Sequence, residues 1–250
     1  GLSWEEGGSR GGGHGPYYQS ERTAVYQSCL EQLQGMGLVY PCFCSRAELH
    51  AAQAPHLSDG RVLYSGRCRR LTPEERAALA AQRRPAIRLM VPEETVAFTD
   101  LCYGEYRENL RQECGDFLIR RSDGVFAYQL AVTADDALMG VTQVVRGRDL
   151  LSSTPRQLYL YRLLGLRPPV FGHIPLLLAP DGRRLSKRDG DLDLGALRLR
   201  FTPEQLLGKL AFAGGLLERE EPVTAEELIP LFSWEKLPRQ DIRLPAGLWG

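Results

Sequence analysis

Three consecutive stretches between residues 141 and 178 constrain the fold more than any other feature of the chain. "VTQVVRG" is apolar and β-branched, "STPRQLYLYRLLGL" has helical spacing with Ser153 or Thr154 as its cap and Pro155 following, and "VFGHIPLLL" is again strand-like. Strand, helix, strand in this order predicts a right-handed crossover between parallel strands, and so an α/β fold. In open sheets of that kind, ligands sit beyond the carboxyl ends of the strands. The segment after the last of these strands is therefore a candidate for ligand contact.

That segment is "RRLSKRDG", residues 183–190, with four positive charges. A plain hairpin needs only Asp-Gly or Asn-Gly. The chain has only three lysines (Lys187, Lys209 and Lys236) within a total of 31 Lys and Arg, so Lys187 stands out. Formal net charge is zero, which excludes a global field for polyanions; any such partner must be held by a local patch. A solvated loop lysine is one reading of Lys187. The other is an ammonium delivered to a triphosphate, stabilising charge that develops in phosphoryl or adenylyl transfer. Gly182 and Gly190 would let such a loop close and reopen. No GxxxxGK(S/T) sequence occurs, so this is not a Walker loop.

Elsewhere the periodicity predicts a helix from Glu21 to Met36, with Val25, Cys29, Leu30, Leu33 and Met36 on one face, stopped by Gly35, Gly37 and Pro41. "LTPEERAALAAQ" predicts a helix with a Thr cap, Pro at its first position and Glu after it. "AIRLMV", "FLIRR" and "FAYQLAV" read as strands, with "SDG" (122–124) as a hairpin turn. Residues 194–218 read as helical with a break at Gly214-Gly215, and residues 1–16, with seven glycines, as a loop. No run of 18 apolar residues and no signal peptide is seen, so a soluble cytoplasmic protein without a membrane partner is expected.

Six cysteines in 250 residues are too few for a disulfide scaffold. Three of them fall in one irregular stretch: Cys42-x-Cys44, nineteen residues, then Tyr64-x-x-x-Cys68. Cys-x-Cys does not readily close its own disulfide but can hold a tetrahedral metal from a tight turn. The spacing leaves a fourth ligand open. His50 and His56 are of the usual type, and Tyr64 would need the metal's charge to ionise its phenol.

"RRLSKR" resembles the KMSKS loop of class I aminoacyl-tRNA synthetases. "FAYQLAVTADDALMGVTQVVRGRDLLSSTPRQLYLYRLLGL" and "YPCFCSRAEL…YSGRCR" narrow the resemblance to the glutamyl-queuosine tRNA(Asp) synthetases, short paralogues of the glutamyl-tRNA synthetases, over about residues 1–220. The resemblance implies one structural zinc held by Cys42, Cys44, Tyr64 and Cys68. It implies a glutamate pocket built on Tyr128 and Arg146, with an arginine fork suited to a carboxylate. Both residues are expected on strands. It assigns Lys187, with Ser186 before it, to ATP, with Mg²⁺ expected.

Glutamate, ATP and the queuosine-bearing anticodon stem-loop of tRNA(Asp) are the implied partners of a chain expected to be monomeric. Only 63 residues follow Lys187, too few for the anticodon-binding domain of a protein-synthesis glutamyl-tRNA synthetase. The implied fold is an incomplete class I Rossmann-type parallel sheet with an inserted zinc-containing α+β subdomain and a C-terminal helical region. Its expected parts are residues 1–40 (remnant of the first half of the nucleotide-binding fold), 41–115 (zinc subdomain), 116–195 (second half, with the KMSKS-like loop) and 196–250 (helical, stem-contact-like tail). "GLSWEEG" resembles the segment downstream of the family's HIGH-type motif, so the chain as given is expected to activate glutamate poorly. Two alternatives are a fragment of a protein-synthesis glutamyl-tRNA synthetase and a non-catalytic zinc-stabilised tRNA-binding module.

Overall fold

The computed structural model describes residues 2–51, 63–185, 194–245 and 248. Helix α1 (Thr23–Gly35) buries the expected Leu30 and Leu33 together with Tyr26, leaves Val25 and Cys29 partly buried against the core, and ends before Met36, which is exposed. Strand β1 (Val39–Cys42) follows directly, and the chain then forms helices α2 (Arg46–Ala51) and α3 (Pro73–Gln82). The Thr72 hydroxyl accepts from the Glu75 N–H and the Glu75 carboxylate accepts from the Thr72 N–H, with Pro73 in the first turn, so the expected capping box is present.

Strand β2 (Ala86–Leu89) pairs antiparallel with β1 on one side and with β5 (Phe117–Arg120) on the other. Between them in sequence lies a hairpin that the apolar pattern does not announce, β3 (Thr95–Asp100) with β4 (Gly104–Asn109). Its alternating burial carries many charged side chains, which hide it from a search for apolar runs. The end of β3 is anchored to the parallel region, because the Leu101 N–H donates to the Phe171 carbonyl at 2.9 Å.

One expected strand is a helix. The turn at 121–124 forms as predicted, with Arg121 N–H bonded to Val125 O at 2.8 Å, but the returning strand is a single bridge between Arg120 and Phe126. Helix α4 (Tyr128–Leu138) then begins and buries Leu130, Ala131, Thr133, Ala134 and Asp135. Over "FAYQLAV" alone, period 2 and period 3.6 cannot be separated. The helical pattern shows only when the window runs on to Leu138.

The strand–helix–strand unit forms as expected except at its cap: the 3₁₀ turn Arg148–Ser153 runs straight into the helix, Ser153 makes no side-chain cap bond, and the Thr154 hydroxyl accepts from Arg146 instead. Strands β6 (Gln143–Gly147) and β7 (Val170–Ile174) pair in parallel, bridged by helix α5 (Thr154–Leu164), and Arg146 stands opposite His173 in the register. Pro175 interrupts the apolar run, so "VFGHIPLLL" makes two strands, β7 and the short β8 (Leu177–Leu178). The tail is less helical than its sequence reads: α6 (Leu194–Leu197), α7 (Pro203–Ala213) with a Thr202/Gln205 capping box, and α8 (Ala225–Leu228). Strand β9 (Ile242–Arg243) then adds in parallel to β8. Among the described residues, parallel pairing is confined to β6–β7 and β8–β9, and the largest sheet is antiparallel, in the order β1-β2-β5.

The main core joins α1, α4 and α5 over β2 and β5, through Leu30, Leu33, Leu89, Ile119, Leu130, Ala134 and Leu160. A second, smaller cluster surrounds Tyr40, Cys42, Phe43, Tyr64 and Cys68. The tail packs closely on the body, since a Cβ at Gly172 of β7 would meet the Trp234 ring at 2.3 Å, and on itself, since one at Gly208 of α7 would meet Glu221 O at 1.9 Å. Among the described residues no helix is long and apolar enough to cross a membrane.

Candidate active site and metal-binding cluster

The second cluster gathers the thiols. Cys42 ends β1, Cys44 lies two residues on, and Cys68 sits in the 3₁₀ turn Arg67–Arg70; their sulfurs all lie within 4.8 Å of one another. The Cys44 and Cys68 sulfurs are 3.5 Å apart, and the Tyr64 hydroxyl is 3.5 Å from Cys42 Sγ and 3.9 Å from Cys44 Sγ. Thiolates around a tetrahedral zinc, each at about 2.3 Å, stand about 3.8 Å apart, so the donor set and its spacing fit such an ion. Of the two histidines that the spacing left open, His56 lies outside the described residues.

The surroundings favour negative charge at the sulfurs. The Phe43 N–H donates to Cys68 Sγ at 3.4 Å and Arg88 Nε donates to Cys42 Sγ at 3.3 Å, while the Arg88 guanidinium lies 3.8 Å from the Tyr64 ring centroid. Burial works against ionising Cys42, yet Arg88 and the hydrogen bonds outweigh it and hold its thiol below the ordinary range. Burial and the neighbouring thiolates push Cys44 up to about 12. Burial, with bonds to Cys68 and Cys42, also pushes the Tyr64 phenol up. One guanidinium thus supports one thiolate; ionising the whole set requires a further cation.

The second site lies on the strand–helix–strand unit. Arg146 projects from β6; Thr154, Gln157 and Tyr161 come from α5, His173 from β7, and Tyr128 and Asp136 from α4. Arg146 Nε donates to His173 Nε2 at 3.0 Å, and its Nη2 donates to Thr154 Oγ1 at 2.9 Å and Gln157 Oε1 at 2.8 Å. Its Nη1 is buried and makes no hydrogen bond of acceptable geometry among the described residues, and the same holds for the Tyr161 hydroxyl. The Tyr128 side chain stands close enough to favour the Arg146 charge without supplying that missing geometry. Burial pulls the guanidinium down; Tyr128, Asp136 and Tyr161 act in the opposite direction.

Tyr128 and Arg146 are therefore brought together, but not both from strands. Tyr128 opens α4 and is 47% exposed, while Arg146 beside it is half-buried. Asp100, His173, Thr154, Gln157 and Asp136 do not stand out in the sequence. The one hint is a histidine inside an otherwise apolar strand. Lys187 and Ser186 lie outside the described residues (186–193). A tight hairpin at Asp181-Gly182 leads to them, where Ala179 N–H bonds to Arg183 O and Leu178 bridges Arg184.

A half-buried arginine whose Nη1 makes no hydrogen bond of acceptable geometry among the described residues, beside Tyr128 and on a strand of a parallel pair, could hold a carboxylate. The comparisons give the class of protein. Residues 1–240 match the family model described as tRNA synthetases class I (E and Q), catalytic domain, and the chain belongs to that family of aminoacyl-tRNA synthetase-like ligases. It is 54% identical over 250 residues to the Glutamyl-Q tRNA(Asp) synthetase of Symbiobacterium thermophilum, covering 98% of this chain and 77% of that protein. With the protein of the same name from Nitratidesulfovibrio vulgaris it shares 47% over 251 residues, covering 99% of this chain and 78% of the relative. Among solved structures it is similar to a glutamate tRNA ligase from Elizabethkingia meningosepticum in complex with its amino acid. That match has a TM-score of 0.75 at 28% identity, covering 96% of this chain and 53% of that one. The chain thus spans about half the length of that solved ligase.

Proposed function

We propose that this protein activates glutamate with ATP and transfers it to queuosine in the anticodon loop of tRNA(Asp). The observation that carries the reading is Arg146, half-buried and bonded to His173, Thr154 and Gln157, with Nη1 making no hydrogen bond of acceptable geometry among the described residues, beside Tyr128. The charge of a fixed guanidinium and the N–H donors of its Nη1 suit a carboxylate oxygen of the amino acid, and the phenol beside it supplies a further hydrogen-bonding group. Activation joins the substrate's reacting carboxylate oxygen to the α-phosphorus of ATP and releases pyrophosphate. Transfer then joins a queuosine hydroxyl oxygen to the acyl carbon and releases AMP. The naming of the two relatives supports the queuosine specificity.

In this reading Lys187, with Ser186, acts on the triphosphate with Mg²⁺. Cys42, Cys44, Cys68 and Tyr64 would hold one zinc, which cross-links the end of β1 to the 3₁₀ turn and so substitutes for a larger core there. Arg88 supplies a compensating positive charge against Cys42 and Tyr64. Residues 1–40 and 116–195 then form the two parts of the nucleotide-binding fold, 41–115 the zinc subdomain and 196–250 the stem-contact-like tail.

The test is glutamate-dependent ATP–pyrophosphate exchange by the intact gene product, followed by charging of tRNA(Asp) with and without queuosine. Exchange with glutamate and charging of the queuosine-bearing tRNA alone are expected. Charging of unmodified tRNA(Glu) at its 3′ end would overturn the queuosine assignment.

A further inference from the structure

We infer that Asp100 and His173 are positioning residues for Arg146, forming a buried Asp–His–Arg chain that fixes the plane of its guanidinium and leaves Nη1 as the donor presented to substrate. The inference rests on the reading of Arg146 as the carboxylate-binding residue.

Asp100 and His173 side chains are both 0% exposed. Asp100 collects four N–H groups. Cys102 and Tyr103 donate to Oδ1 at 3.0 and 2.9 Å, the His173 backbone N–H spans both oxygens at 3.2 and 3.1 Å, and His173 Nδ1 lies 2.6 Å from Oδ2. A carboxylate so surrounded is acceptor-only, so the proton of the imidazole sits on Nδ1. Nε2 then carries a lone pair, and the Nε–H of Arg146 donates to it at 3.0 Å. A proton on Nε2 would set two donors against each other across that distance. The tautomer chosen by Asp100 thereby decides whether Arg146 can lie where it does.

The count of donors on Arg146 gives the consequence. A guanidinium has five N–H groups. One goes to His173 and two, on Nη2, go to Thr154 and Gln157; Gln157 is itself oriented by its Nε2 donating to Gln129 Oε1 at 2.9 Å. The remaining two, on Nη1, are buried and make no hydrogen bond of acceptable geometry among the described residues, with the Tyr128 side chain alongside. The network therefore leaves Nη1 for a ligand. It draws its anchor from β3, 46 residues before Arg146 and in a hairpin attached to β7 through Leu101 and Phe171.

The experiment compares Asp100→Asn, His173→Leu and His173→Gln in the intact gene product, reading KM for glutamate, KM for ATP and kcat in pyrophosphate exchange. Asp100→Asn and His173→Leu are each expected to raise the glutamate KM about 10- to 100-fold, as loss of an orienting partner typically does, with the ATP KM unchanged. His173→Gln keeps an acceptor on a side chain of similar reach and should recover most of the glutamate affinity. In an Arg146→Lys background, His173→Leu should cost nothing further, since the two act as one unit. An unchanged glutamate KM in His173→Leu, or equal losses for glutamate and ATP in both single variants, would overturn the inference. Arg146→Lys alone separates the two claims. If it leaves the glutamate KM unchanged, the underlying reading of Arg146 fails. If it raises that KM while His173→Leu does not, only the positioning chain fails.

Discussion

Asp241 binds Arg148 with both carboxylate oxygens, at 2.9 and 2.6 Å, and accepts the Leu176 N–H at 3.1 Å with one of them. One tail carboxylate, 93 residues downstream of its partner, thus ties the segment after β6 to the backbone that leads into β8. Burial disfavours the Asp241 charge, but the Arg148 and Leu176 bonds outweigh it and hold the carboxyl below its usual range. Arg148 is 42% exposed, so screening limits the pair to about 1 kcal/mol. Asp241→Asn should accordingly lower Tm by only a few degrees. Its local effect should be larger: the amides of Ile242 and Leu244, bonded to Leu176 O and Leu178 O, should exchange faster with deuterium. Unchanged exchange at both would show that the ion pair does not hold β9 in place.

Loss of one thiol should remove the metal. Cys44→Ser leaves three of the four proposed donors, and a structural zinc site contributes on the order of 10 kcal/mol. The variant should contain less than one equivalent of zinc, and its segments 39–44 and 63–71 should become protease-sensitive. One equivalent of zinc retained by Cys44→Ser, measured by elemental analysis, contradicts the ligand assignment.

Lys187 should act on the triphosphate and not on the amino acid. Lys187→Ala is expected to reduce glutamate-dependent pyrophosphate exchange about 100- to 1000-fold, the usual cost of one preorganised contact to the transition state. Glutamate binding measured by calorimetry should stay within about twofold. A parallel loss of glutamate affinity would move Lys187 from the ATP loop to the amino-acid pocket.

Asp136 carries a stability cost that depends on pH. Burial raises its carboxyl to about 6, with Arg146 opposing that shift and Asp135 adding to it. The folded chain therefore holds a proton that the unfolded chain has already released above about 4. With the folded value raised, the stability present below that point is lost as pH rises toward about 6, and the cost is constant above it. Asp136→Asn should be more stable than the parent at pH 7.5 and gain nothing at pH 4. Denaturant midpoints for the two proteins that stay parallel across this range would rule the effect out.

Some of this molecule is written in local pattern. The periodicity of residues 21–36 gives α1, Thr72-Pro73 and Glu75 give the start of α3, and the β6–α5–β7 unit follows from apolar runs and a proline within 34 residues. The spacing of Cys42, Cys44 and Cys68 marks a metal-type cluster without any knowledge of the fold, because ligand chemistry limits which residue types recur at such intervals. The resemblance to the synthetases then points to Tyr64, Tyr128 and Arg146.

The remainder depends on approaches between distant segments, which local periodicity does not encode. "FAYQLAV" reads as a strand until Leu130, Ala131 and Ala134 find α1 and α5 to pack against, and that packing makes it a helix with Tyr128 at its first position. The β3–β4 hairpin interleaves Val96, Phe98 and Tyr106 with small, polar and charged residues, and its inward face, which includes Asp100 and Glu108, is recognised only beside β7 and α5. Asp100 and His173 are 73 residues apart, and their 2.6 Å contact exists because the hairpin end docks on β7. Arg88 reaches Cys42 and Tyr64 because β2 pairs with β1. The chain by itself determined its local elements and which residue types could bind metal and carboxylate. Only the tertiary structure decided the protonated edge of His173, the unbonded Nη1 of Arg146 and the charge beside Cys42, because each is set by a partner the chain supplies from far away in sequence.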